Sequence, residues 1–173
     1  MTHPSSCQSV IRCAIGVLCL AGSGMAAAQS PARSPNGIDL PEGYKDWRVI
    51  AVSHRSDNDT MRVIVGNDLA IGAARSGRTN PWPDGAILGK IVWKNARHDA
   101  WPAATVPGEF RAQEFMIKDA KRFAATGGWG YARWLGTERK PLGKNASFEQ
   151  GCHGCHTQVR ANGYVFTRPV DIP

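Results

Sequence analysis

Two short stretches rich in β-branched residues, Trp47 to His54 (WRVIAVSH) and Thr60 to Gly66 (TMRVIVG), stand on either side of the polar run Arg55 to Asp59. Strand-forming residues joined by a polar connection of that length predict an antiparallel hairpin. Asn67-Asp68 then offers a cap for a short helix reaching Arg75, with Leu69, Ile71, Ala73 and Ala74 for packing and Gly77 as its stop. Thr79 to Gly85 (TNPWPDG) is dense in turn residues and predicts a loop. Further strands are predicted over Ala86 to Lys94 (AILGKIVWK), Phe110 to Lys118 and Trp129 to Leu135 (WGYARWL). A long loop over Asn95 to Gly108 and a helical turn near Asp119 to Ala124 separate them. Ser147-Phe-Glu-Gln150 has the form of a capping box, in which the serine and glutamine side chains satisfy each other's exposed backbone donors. A helix starting there carries Gly151 to Arg160. The fold class is α+β: a mainly antiparallel β-sheet with short helices and a C-terminal helix.

The chain ahead of these elements has a different composition. Met1 to Arg12 is polar with no acid, Cys13 to Ala21 is apolar, and Ala26-Ala27-Ala28 places small residues where an A-x-A cleavage site needs them. Residues 1–28 read as a secretory signal peptide, which implies a periplasmic protein. The apolar run is about half of the ~20 residues a membrane span requires, so no membrane span is expected. Residues 29–39 (QSPARSPNGID) lack any apolar period and predict a flexible leader. Residues 40–173 are left as one folded domain. The whole chain is formally +7, from 21 Lys and Arg against 14 Asp and Glu, and apart from Arg12 the basic residues are spread from Arg33 to Arg168 with acids among them. That is the pattern of a solvated surface and excludes a nucleic-acid footprint, though it suits an anionic redox partner.

Of the 5 cysteines, Cys7, Cys13 and Cys19 fall within the signal, and Cys152 and Cys155 remain. They sit in Cys152-His153-Gly154-Cys155-His156, the Cys-x-x-Cys-His signature of covalent c-type haem attachment. On a helix, offsets of three and four place both thiols and the His156 imidazole on one face. The thiols can then bond the porphyrin vinyl groups while His156 reaches the iron from the same side. A disulfide or dithiol redox pair leaves the adjoining histidine unexplained, and a zinc site needs two further ligands from His54, His98 or His153. The expected cofactor is therefore one covalent haem c with its iron, and His153 reads as a spacer.

The sixth iron position separates an electron carrier from a ligand-binding or catalytic haem. Residues 157–173 contain neither Met nor His, which excludes the common small-cytochrome arrangement with a downstream methionine. Met61 and Met116 lie in apolar strands and read as core, while His54 and His98 read as solvated. An open, five-coordinate iron is expected.

A motif so near the C-terminus also occurs in the four-helix cytochromes c′, but the strands before it do not fit them. The chain instead resembles the cytochrome P-460 family. The resemblance is carried by LPEGYKDWRVI from Leu40, WPDGAILGKIVWK from Trp82, FMIKDAKRFAATGGWGYARW from Phe115 and FEQGCHGCHTQV from Phe148. The most pointed segments are Asp84 to Lys90 and KDAKRF at Lys118 to Phe123. The resemblance implies a mainly antiparallel β fold with a c-haem helix, a homodimer, and oxidation of a small nitrogen compound such as hydroxylamine or nitric oxide, with electrons leaving to a soluble redox partner. It also implies a lysine bonded to the haem edge, which aligns with Lys90.

Read from its own strand, Lys90 is a lone charge in a row with Ala86, Leu88 and Val92, as an edge-strand lysine reaching for water beside Lys94 would be. Related cytochromes c′-beta lack the cross-link and bind nitric oxide without turnover. That alternative stays open, as does a plain electron-transfer module using Met61 or Met116. The resemblance further implies a distal carboxylate as proton acceptor, for which Glu149, Glu114 and Glu109 are candidates. Glu149 in the first helical turn also complements the helix dipole. Of Arg133 and Trp134, strand alternation turns only one inward.

Overall fold

The computed structural model describes Met1 and residues 30–170, so the expected signal peptide lies outside the described residues. Six strands form one sheet in chain order: β1 (Arg48–Arg55), β2 (Thr60–Gly66), β3 (Ile87–Arg97), β4 (Thr105–Lys118), β5 (Trp129–Leu135) and β6 (Lys140–Pro141). Every neighbouring pair is antiparallel. The α+β class predicted from the sequence is the observed one. Helix α1 (Asp68–Arg75) follows β2, and its cap is the predicted one: Asn67 Oδ1 accepts from the Ala70 backbone N–H at 3.0 Å. The chain leaves that helix through Gly77 at φ 70°, a left-handed turn that glycine takes without penalty. Helix α2 (Phe148–His156) continues as a 3₁₀ turn over Thr157–Asn162. Among the described residues no helix is long and apolar enough to cross a membrane.

Several expectations are corrected. The loop predicted over Asn95 to Gly108 is much shorter, because β3 and β4 extend toward each other and pair Asn95 with Pro107, Ala96 with Val106 and Arg97 with Thr105. The capping box does not form: Ser147 is itself helical, and its Oγ and backbone N–H both turn to Asn145 Oδ1, at 2.6 and 3.1 Å. The short strand β6 had no sequence signal. The segment predicted as a flexible leader is docked from Ala32 onward. Ile38 is buried beside Phe115, Ala132 and Trp134, and Trp134 Nε1 donates to the Ala32 carbonyl at 2.9 Å.

Alternation along the strands divides the core between the two faces of the sheet. One face packs Ile64, Leu88, Trp129 and Tyr131 against α1, Trp82 and Val165. The other packs Phe115, Ala132 and Trp134 against Ile38, Tyr44 and Trp47. The two segments that make the family resemblance most pointed meet at one end of the sheet. There Asp84 Oδ1 accepts from the Ala120 N–H at 2.9 Å, the Gly85 N–H donates to the Lys118 carbonyl at 2.8 Å, and the buried Lys118 ammonium donates to the Gly128 carbonyl at 3.3 Å.

The Phe123 ring lies directly over Gly130, where an added Cβ would collide with it. Gly130→Ala is expected to destabilise the fold by about 1–3 kcal/mol through overpacking. A lower urea midpoint at unchanged slope is the expected reading.

Candidate functional site

A cavity of about 710 Å³ lies between the α1-side face of the sheet, helix α2 and the C-terminal tail. Cys152, Cys155 and His156 all line it, as the offsets of three and four predict for one helical face. His153 does not. Its ring sits against Tyr164, with centroids 5.3 Å apart, in the spacer role expected of it.

His156 is oriented by the tail that follows it. Gly163 and Tyr164 both adopt positive φ, 64° and 66°, and this turn brings the Tyr164 carbonyl within 2.7 Å of His156 Nδ1. A bulky residue in that region is strained, and here the surroundings hold it: the Tyr164 ring packs where a Cβ on Gly127 would stand. Only a protonated Nδ1 can donate to a carbonyl, so in neutral His156 the Nε2 lone pair is free for a metal. Burial lowers the imidazole pKa from its ordinary value, against the opposing pull of that hydrogen bond. The Cys152 thiol is pushed up, chiefly by burial and then by Glu114.

The sheet supplies a row of side chains on the same side. Ile64, Lys90, Glu114 and Arg133 are consecutive register partners across β2, β3, β4 and β5, and all four line the cavity. Lys90 Nζ lies 2.7 Å from Glu114 Oε2, and Arg133 Nε lies 3.5 Å from Glu114 Oε1. The Lys90 and Glu114 side chains are only 32% and 24% exposed, so solvent screens the pair less than at an open surface. β3 is a central strand, which overturns the edge-strand account of Lys90; Lys94 turns instead to Asp59 at 3.8 Å. Arg133 faces the cavity and Trp134 the opposite core, the alternation expected of β5.

The other acids are placed elsewhere. Glu149 Oε2 accepts from Asn36 Nδ2 at 2.7 Å, and the same amide donates to the Tyr131 carbonyl at 2.8 Å. That carboxylate therefore clamps the docked leader to β5 and α2. Glu109 pairs with Arg111 at 3.2 Å, away from the cavity lining. Met116 lines the cavity, whereas Met61 does not. His54 bonds to Asn95, and His98 accepts from the Ala100 and Trp101 backbone. Both are exposed, and among the described residues no group of three or more metal-ligating side chains is gathered for a zinc site. Several parts of the wall escaped sequence reasoning, among them Arg55 on β1, Arg62 on β2 and the tail residues Val165 to Arg168.

An antiparallel sheet facing a helix that presents two thiols and an imidazole to one largely apolar cavity is the architecture of a haem-binding cytochrome. The donor set fits that group: paired thiols on one helical face and an imidazole with Nε2 free. The chain matches the family model of Cytochrome P460 over residues 41–167, most of its length, and belongs to that family. The family implies a haem cofactor and relates the chain to hydroxylamine oxidation. A search of curated proteins found no match.

Proposed function

We propose that the chain is a periplasmic, mono-haem c-type cytochrome that oxidises hydroxylamine and passes the electrons to a soluble acceptor, working as a homodimer. Cys152 and Cys155 hold the haem covalently, His156 is its proximal ligand, and Lys90 is bonded to its edge. The haem supplies an iron with an open coordination position and takes up the electrons. The chain's own part is to exclude water with the Leu88, Met116 and Tyr131 wall, to fix His156 through the Tyr164 carbonyl, and to accept a substrate proton at Glu114. One observation carries the reading. Lys90 projects from a central strand into the cavity shared by Cys152, Cys155 and His156, where a solvated surface role does not account for it.

A second reading has its own support. The 2.7 Å contact with Glu114 already satisfies Lys90 as an ammonium, as in a nitric oxide binder without cross-link or turnover. The electron-carrier alternative now rests on Met116, since Met61 lies off the cavity. The ferrous absorption spectrum, joined to mass analysis of the haem peptides, separates the three. A red-shifted reduced band with a haem-bearing Lys90 peptide is expected. An ordinary high-spin spectrum with free Lys90 would give the binder its place. Sharp low-spin bands abolished by Met116→Ala would establish the carrier.

A further inference from the structure

The cavity wall holds more positive charge than its own acid can balance. Arg55, Arg62, Lys90, Arg133 and Arg168 line it, with Glu114 as their carboxylate. Glu114 is already taken by Lys90 and approached by Arg133, and Arg55 is paired to Asp57 in the adjoining turn. Arg62 is different. Among the described residues its side-chain partner is Thr60 Oγ1 at 3.3 Å, and it forms no ion pair. Burial, followed by repulsion from Arg55, presses its pKa below the ordinary arginine value.

Its place in the register gives this charge a direction. Arg62 stands opposite Ser53 and Val92, one step along the strands from the row of Ile64, Lys90, Glu114 and Arg133. Leu88 and Tyr131, from the apolar cluster against which Cys152 and Met116 both pack, lie with Met116 one step the other way. Two such steps along a strand amount to about 13 Å. The cavity thus has an apolar end and a cationic end. A planar guanidinium with no carboxylate of its own, half-buried beside a second one, matches a planar oxyanion, which it can hold through two parallel hydrogen bonds.

We infer that Arg62, with Arg55 beside it, is the seat of a planar oxyanion at the cationic end of this cavity. Two sources share that chemistry: the propionates carried by the bound haem, and a free inorganic oxyanion. The first rests on the haem reading proposed above, and the second does not.

The test uses the protein as purified, comparing wild type with Arg62→Gln and Arg62→Lys after near-ultraviolet circular dichroism has shown the fold intact. The midpoint potential is measured, and nitrate is titrated by calorimetry. If propionates occupy the seat, Arg62→Gln lowers the potential, because a lost cation favours the ferric state, Arg62→Lys stays near wild type, and nitrate gives no heat. If a free oxyanion occupies it, nitrate binds wild type, and Arg62→Gln weakens that binding at least tenfold. A folded Arg62→Gln protein that alters neither quantity overturns the inference. If wild type carries no haem, the functional reading fails, and the nitrate titration alone decides Arg62: at least tenfold weaker binding in Arg62→Gln upholds the seat, and anything less overturns it.

Discussion

The combined Cys152→Ser, Cys155→Ser and Lys90→Ala variant is expected to leave a chain whose haem does not survive denaturation. The two thiols line the same cavity as His156, so the proposed thioether bonds and iron ligand share one surface of α2. Removing both sulfurs and the Lys90 amine deletes every covalent bond of the proposed attachment but leaves the Nε2 of His156, still set by the Tyr164 carbonyl. The triple variant should therefore take up haem reversibly and lose it on a denaturing gel, where wild type keeps its haem stain. A wild-type band without stain would reject covalent attachment outright. A triple-variant band that keeps its stain would show that a further residue holds the haem.

The next largest effect is expected at Glu114. A positioned general base contributes about 10²- to 10⁴-fold to a rate, so Glu114→Gln should cut hydroxylamine turnover by at least about 100-fold. Lys90→Ala should remove the red-shifted band together with turnover, while nitric oxide still binds. Glu149→Gln serves as the contrast. Its carboxylate is held by Asn36 at 2.7 Å and clamps the leader, so its loss should lower stability and spare turnover. Assays of the three variants with an artificial electron acceptor check this. If Glu149→Gln loses turnover while Glu114→Gln keeps it, the proton acceptor has been assigned to the wrong carboxylate.

What was legible in the chain and what was not follows from how local each signal is. Strands β2 and β5 and helix α1 agree with the reading because β-branched runs and the Asn67 cap act within a few residues. The ends of β3 and β4 were obscured by Pro107 and Gly108, which look like a loop until the opposite strand supplies their pairing. The attachment motif was equally local. The wall facing it was not, since Lys90 and Glu114 become partners only once the register of β3 against β4 is known. A usable signal did exist: β2, β3, β4 and β5 carry Arg62, Lys90, Glu114 and Arg133 among apolar neighbours, and charges recurring in adjacent strands mark a shared polar surface. The capping box failed for a related reason. Asn145, two residues upstream, competes for the same serine hydroxyl, and the motif does not include it.

The order of the strands has a consequence in time. Because β1 to β6 lie in the sheet as they lie in the chain, each strand finds its partner in the segment just made, and no pairing waits for a distant one. Such local pairing keeps contact order low and lets the sheet zip from one hairpin to the next. Helix α2 follows all six strands, so Cys152 and Cys155 meet a surface on which Lys90 and Glu114 already stand in register. Under the proposed attachment the sheet is a template for the cofactor, and a circular permutation that moved α2 ahead of β1 is expected to lower the yield of haem-stained protein.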